Sequence, residues 1–357
     1  LKLAKVHPLF IYPEIDHELG MAGGIDPGSL NNAFSKYRAI KAVIATYPNY
    51  YGKTYDLKAI IELAHSHDIP VLVDEAHGAH FRLGNPFPPS AVELGADMVV
   101  HSAHKTLPAM TMGSYLHINS RRISISKVEE YLGILQSSSP SYPIMLSLDF
   151  ARYFLATFSR EDIEYTMQEI KGFVEGLKRV SPLNVKEQKN GDPLKVSVYI
   201  EGVSGFYLQK KLEEHGVYGE LADPYQVLFI FPLLKKGTIY PYTEALLRIQ
   251  AAFKKNMPVS QGKTVESDFS FIRSVRPLAI TYKEMEHTPK ETVQLSNSIN
   301  HIAAEMVIPY PPGIPILMPG EEITKNHIQM ISRLLEENAN FQGNSQQLKN
   351  GAIQVFS

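Results

Sequence analysis

Three short apolar runs in the first third of the chain each end in a polar cluster, and this pattern narrows the folds open to it. Residues 41–46 (KAVIAT) run into Pro48 and Gly52, residues 70–73 (PVLV) into Asp74, Glu75 and His77, and residues 97–100 (DMVV) into His101, Ser102, His104 and Lys105. Runs this short and uniformly apolar read as strands buried on both faces. Asp56 opens a helical pattern between the first two, with Leu57, Ile60, Ile61 and Ala64 at helix spacing, closing near residues 65–68. Residues 90–94, stopped by Gly95, read as a short helix, and residues 112–118 as a fourth strand. This alternation predicts an α/β fold with a mostly parallel sheet. In such sheets the site lies beyond the carboxyl ends of the strands. Here those ends are residues 46–52, 74–80 and 101–106, all polar.

Residues 127–179 carry a helical pattern broken at 137–143. Pro, Asn, Gly and Lys cluster at 181–193, which places a boundary there. Beyond it, a strand at 195–200, a helix at 204–215, a strand at 227–231 and a helix at 242–255 predict a smaller α/β domain. The expected division is a large domain over 1–180 and a C-terminal domain over 181–357. Residues 256–268 read as a polar loop. Five prolines (Pro309, Pro311, Pro312, Pro315, Pro319) make 306–320 an irregular crossing, and 324–337 reads as a final helix. There is no internal repeat.

A length of 357 residues fits about two domains. The 35 basic and 37 acidic residues leave a net charge of −2, so nothing electrostatic points to nucleic acid or an anionic membrane as partner. The scattered Lys and Arg of 235–276 read as a solvated face. No apolar run approaches the roughly 18 residues of a membrane span. Without cysteine the chain has no disulfide, thiol nucleophile or iron–sulfur ligation. That composition fits a reducing compartment, and a cytoplasmic location is expected.

The richest segment is VLVDEAHGAH, residues 71–80. A helicase-type DEAH box would need an earlier phosphate loop, but the Gly-Lys-Thr at 262–264 comes later with Met257 where a glycine is required, and the Gly-Lys-Thr at 52–54 has Tyr47 at that position. A metal site could draw on His77, His80, His101, His104, His65 and His67, although loop histidines at this spacing are more often hydrogen-bonded surface groups. A third reading joins Asp74 to Ser102–Ala103–His104–Lys105–Thr106. A lysine at the end of a buried strand is placed to be desolvated and to form a Schiff base with a carbonyl. Asp74 could pair with a cationic ring nitrogen, and neighbouring hydroxyls could hold a phosphate. A lysine Schiff base with an Asp partner for a pyridinium is the arrangement of pyridoxal phosphate enzymes. The plainer alternatives are a helix cap for Asp74 and a surface lysine for Lys105.

The runs DEAHGAHF, GADMVVHSAHKTL, QSSSPSY with SLDFAR after it, and AAEMVIPYPPGIPILMPGE together resemble the Orn/Lys/Arg decarboxylase class-I family, in particular its shorter, Gram-positive-type members. The resemblance runs in order from residue 1 to the last helix. It implies a fold-type-I pyridoxal phosphate transferase large domain, followed by the smaller C-terminal domain. It further implies that Lys105 forms the Schiff base, that Asp74 binds the pyridine nitrogen, that Ala76 packs on the ring, and that His77 lies near the ring's 3-hydroxyl. Ser102 and His104 would contact the phosphate or position Lys105. The active site would form at a homodimer interface, where Ser138, within residues 137–139, reaches the neighbouring cofactor. No metal is implied. The expected reaction is decarboxylation of lysine, arginine or ornithine to a polyamine precursor.

Leu1 is not a methionine, and family members carry a phosphate-cradling Gly/Thr/Ser loop and a ring-stacking histidine upstream of the matching region. The chain therefore reads as N-terminally incomplete, with sheet and helix faces that want a partner. Two alternatives stand beside the decarboxylase: an aminotransferase or aldolase-like relative, which Asp74 and Lys105 would serve equally, and a catalytically silent decarboxylase-like dimerisation module. Tyr47, Tyr50 and Tyr51 are candidates to line the site, with packing expected for two of them. Glu305 could meet a cationic substrate tail or be an ordinary surface glutamate.

Overall fold

The computed structural model describes residues 1–16, 21–186, 190–254, 275–310, 315–336, 339–343 and 345–357. The expected loop at 256–268, Pro311, Pro312 and Glu337 lie outside the described residues. The chain divides into two compact units. One comprises Leu1–Tyr12, Tyr199–Val227 and Met257–Ser357, and the other Pro13–Val198 and Leu228–Asn256. The division is interleaved, so residues 181–193 lie within the larger unit. That unit also holds both the DEAHGAH and the SAHKT segments.

Its centre is a sheet of β1 (Val43–Thr46), β2 (Val71–Asp74), β3 (Met98–His101) and β4 (Tyr115–Ile118), ordered as in the chain. The first three strands are parallel, with Thr46 opposite Asp74 and Asp74 opposite Val100. The fourth runs antiparallel to β3 and starts at Tyr115, later than the sequence suggests, because Met112 sits in the left-handed region at φ 78°. Helix α1 (Pro27–Lys36) precedes the sheet, and α2 (Leu57–Ser66) crosses from β1 to β2. Asp56 caps α2 by accepting from Ala59 N at 3.0 Å. Leu57, Ile60, Ile61 and Ala64 are all buried on its core face. Each of the three large side chains stabilises the fold by about 1.5–3 kcal/mol through that burial.

Residues 90–94 form successive turns instead of the expected helix. The Ser90 hydroxyl and the Ala91 N–H are committed to Glu75 instead. The expectation of strands buried on both faces also needs correction. Val43, Ala45, Val71, Val73 and Val99 are buried, whereas Ile44 is 60 % exposed, and Val100 and Leu116 are exposed too. Apolar runs register the preference of both faces for cover, but among the described residues one face of this sheet is open.

Beyond the sheet come α3 (Ala103–Thr106), α4 (Ile125–Leu135), α5 (Tyr142–Ala156) and α6 (Arg160–Lys178), the last opened by a reciprocal Ser159–Asp162 capping box. A strand at Lys195–Tyr199 follows.

The other unit is built on an antiparallel sheet in which the C-terminal strand Ala352–Phe356 lies between Lys290–Gln294 and Ile302–Ala303. Ile353 and Val355 pack with Leu317, Ile323 and Ile331, the last on the helix Lys325–Glu336. Glu305 accepts from Gln354 N at 2.8 Å, which gives it a structural use in this sheet. Helix Gly205–Glu213 begins where a Cβ on Gly205 would stand 2.2 Å from the Gln226 carbonyl oxygen, so only glycine fits. No described helix is long and apolar enough to cross a membrane.

Asp97, buried where the chain enters β3, gathers Val71 N and His65 Nε2, each at 2.7 Å, together with the Ser120 hydroxyl and Arg122. Burial works to raise its pKa, but the hydrogen bonds from Ser120, Val71 and His65 outweigh it and hold the carboxyl below its ordinary value. The stabilisation is therefore present above the unfolded-state value and is lost as pH falls through the folded one, below about pH 4. Asp97→Ala is expected to cost about 1–3 kcal/mol at neutral pH and to flatten this acid dependence. Urea unfolding of both proteins from pH 3 to pH 7 measures the effect.

Candidate active site

Alternation along β2 sends Val71 and Val73 inward and Asp74 outward, and the next residue, Glu75, inward again. Glu75 has no solvent exposure. Its carboxylate accepts from Ser90 Oγ at 2.7 Å, Ala91 N at 2.8 Å and His101 Nε2 at 2.6 Å. His101 Nδ1 in turn meets His117 Nε2 on β4 at 3.1 Å. Burial, followed by His101 and Arg82, lowers the His117 pKa. Gly78 lets the DEAHGAH turn close over this group, since a Cβ there would lie 2.6 Å from Glu75 Cγ.

Asp74, at the open end of β2, is exposed, and its Oδ1 accepts from Ala76 N at 3.0 Å. Lys105 stands on α3, at the end of the neighbouring strand. Ala103 and Leu107 face the core one turn apart, which turns Lys105 outward, so the expected desolvation is not met and the residue is exposed. Lys105 Nζ lies 3.1 Å from His77 Nε2. The His77 ring is buried against Tyr50, with centroids 4.5 Å apart and planes at 58°. Burial first, then the charges of Lys195 and Lys105, push the His77 pKa down to about 2. His77 is thus neutral and accepts from Lys105 Nζ, leaving its buried Nδ1 without a partner.

Of the three tyrosines, Tyr50 joins this cluster. Tyr47 packs edge-on against Tyr55 and Phe81, and Tyr51 is buried. Lys195 Nζ donates to the Tyr50 carbonyl at 2.6 Å. Ser102 caps α3 without using its hydroxyl, His104 Nδ1 donates to the Gly113 carbonyl at 3.0 Å, and Thr106 Oγ1 is buried without a partner. Ala76 lies in the turn after Asp74. Ser138 is exposed between α4 and α5 and makes no hydrogen bond to the Lys105 cluster.

The histidines weighed as metal ligands go separate ways. His80 meets Asp192 at 3.1 Å, His101 meets Glu75, His104 meets Gly113, His65 meets Asp97 and His67 packs on Phe34. No group of three or more His, Asp or Glu placed to hold a metal occurs among the described residues.

Glu75 and Lys195 escaped the sequence reading. The alternation of 71, 73 and 75 was a usable signal for Glu75. Lys195 opens a distant strand, and a lysine there looks like an ordinary solvated end. A pyridoxal phosphate group fits what is present: an exposed Asp74 carboxylate for a ring N–H, a primary amine one strand away, and an unpartnered buried N–H on His77.

Residues 1–190 match the Orn/Lys/Arg decarboxylase major domain and residues 266–352 match the C-terminal domain of that family. The chain is 42 % identical to the Bacillus subtilis protein YaaO over 96 % of its own length and 72 % of that protein's. It is 35 % identical to the arginine decarboxylase of Bacillus subtilis, covering 94 % of this chain and 70 % of the enzyme. In fold it resembles the constitutive lysine decarboxylase of Escherichia coli, with a TM-score of 0.76 at 19 % identity, covering 98 % of this chain and 64 % of that one. The chain thus spans less than two thirds of that solved structure.

Removing the Glu75 carboxylate leaves the Ser90 hydroxyl, the Ala91 N–H and His101 facing a buried void. Glu75→Ala is expected to lose about 3–5 kcal/mol of stability. Chemical denaturation beside the unsubstituted chain measures it, and a loss under 1 kcal/mol would show the carboxylate is not the anchor.

Proposed function

The chain belongs to the Orn/Lys/Arg decarboxylase family, and from that premise we propose that it converts lysine, arginine or ornithine into the corresponding amine and carbon dioxide with pyridoxal 5'-phosphate as cofactor. The observation that supports this reading is the Lys105 amine set against a neutral histidine at the end of one strand, with an exposed carboxylate at the tip of the neighbouring strand β2. When bound, the cofactor supplies a sink for the electron pair left behind as the α-carboxylate departs. Asp74 would hold a proton on the ring nitrogen by accepting from it. Lys105 would hold the cofactor through its carbonyl carbon. Ala76 would pack against the ring, His77 would offer its Nδ1–H to an oxygen of the ring, and Ser102 and His104 would contact phosphate.

A proton must replace the carboxylate on the α-carbon. His77 is held neutral and cannot supply it near pH 7, which leaves Lys105 Nζ, or His104 in its charged form, as donor. The amine product would be a polyamine precursor, and the cytoplasm suits a chain without cysteine.

The same reading includes a homodimer. Helices α4 and α5 expose Tyr131, Ile134, Leu135, Tyr142, Leu146 and Phe150, more apolar surface than isolated contacts leave open. A second copy docked there would cover it and bring Ser138 towards the neighbouring site. Sedimentation is expected to show a dimer, and Leu146→Glu to shift it towards monomer.

Borohydride reduction with pyridoxal phosphate, followed by peptide mapping, is expected to place a pyridoxyl adduct on Lys105 that Lys105→Ala lacks. Carbon dioxide release is expected from one of the three basic amino acids. Asp74→Asn is expected to keep the adduct while slowing release by about 10²-fold or more. An adduct on another lysine, or none, would overturn the site assignment. Amino transfer without carbon dioxide release would overturn the reaction.

A further inference from the structure

We propose that Lys195 is a positioning residue of the Lys105 site: its buried ammonium clamps the Tyr50 carbonyl and so fixes the Tyr50–His77 pair against which Lys105 stands. The inference deepens the cofactor reading and rests on it. Lys195 is 3 % exposed, although lysine is among the residues least often buried. Its Nζ donates to Tyr50 O at 2.6 Å and lies 5.5 Å from the centre of the Tyr50 ring. Lys105 Nζ lies 5.9 Å from the same ring centre. One aromatic ring is therefore flanked by two ammonium groups and packs on the imidazole that accepts from one of them.

The approach of Lys195 is built into the backbone. A Cβ on Gly52 would fall 2.8 Å from Lys195 Cδ and 3.0 Å from Asp192 Cβ, and Gly52 has φ 84°. The Gly52 carbonyl accepts from Asp192 N at 2.8 Å. Asp192 Oδ1 takes Leu194 N at 3.0 Å and faces His80 Nε2 at 3.1 Å. Residues 191–195 thereby grip the turn that carries Tyr50 and, through His80, the segment that carries His77. A methionine could fill the same volume; an ammonium adds the hydrogen bond to Tyr50 and a charge beside His77. The charged and titratable groups facing His77 are Lys195, Lys105, His80, His104 and Tyr50; burial does most to keep the imidazole neutral, and the Lys195 ammonium comes next.

The test compares the unsubstituted chain with Lys195→Met by ¹⁵N-histidine NMR without cofactor, and by the borohydride trapping described above. In the unsubstituted chain His77 is expected to hold a single Nδ1–H tautomer from pH 5 to pH 8. In Lys195→Met the two tautomers are expected to exchange over the same range. The yield of pyridoxyl-Lys105 is expected to fall several-fold, with the fold kept by circular dichroism. An unchanged His77 spectrum in a folded Lys195→Met would overturn the proposal. Should Lys195→Met not fold, Lys195→Gln, which keeps a donor but not the charge, takes its place. Failure of both to fold would make Lys195 a general stability residue and overturn the proposal as well. Absence of the adduct in the unsubstituted chain would sink the cofactor reading alone, because the NMR comparison needs no cofactor.

Discussion

Glu75 carries a carboxylate with no solvent exposure one residue beyond Asp74, whose carboxylate is open. Strand alternation lets adjacent acids take opposite sides, but a buried anion is tolerated only when its oxygens are met by donors. The donors here come from two separate segments, the Ser90–Ala91 turn and the end of β3 at His101. His101 then reaches β4 through His117. One polar chain therefore ties the ends of β2 and β3 to the neighbouring strand β4. A buried ionic group of this kind is weak evidence for net stability. Its consequence is positional, because alternative packings of the strand ends leave a charge unpaired. Lys105, four residues after His101, stands on an end that this chain fixes.

Around that anchor the electrostatics divide cleanly. Inside the fold, Glu75 and Asp97 are each surrounded by donors at opposite ends of β3. Outside it, Lys105 and Asp74 stand exposed to water. Between these layers sits His77, buried beside two ammonium groups and deprived of the charge it would carry in water. A histidine so placed accepts from Lys105 and offers an N–H elsewhere, but it does not serve as an acid near neutrality.

Much of the larger unit was legible from local pattern. The strands at β1, β2 and β3 and the core face of α2 follow from apolar runs and from Leu57, Ile60, Ile61 and Ala64 at helix spacing. Asp74 and Lys105 stand out because each follows such a run. Local pattern failed where a residue's partner is remote. Residues 90–94 read as a helix because nothing nearby reveals that Ser90 and Ala91 serve Glu75. The central place of Ala352–Phe356 in its sheet depends on pairing with strands about fifty to sixty-five residues away.

The chain's own residues determine that alternating strands and helices form a mostly parallel sheet, and that its polar ends carry an amine and a carboxylate. Periodicity and residue type act over a few neighbours, so they are readable in the chain itself. The tertiary structure decided which of those residues meet. It placed Tyr50 rather than Tyr47 or Tyr51 against His77, sent each histidine to a different partner, and brought Lys195 from a distant strand onto the Tyr50 carbonyl. It also left Lys105 exposed, because burial depends on what covers a side chain in space, and a one-turn helix whose Ala103 and Leu107 face inward must turn the residue between them out.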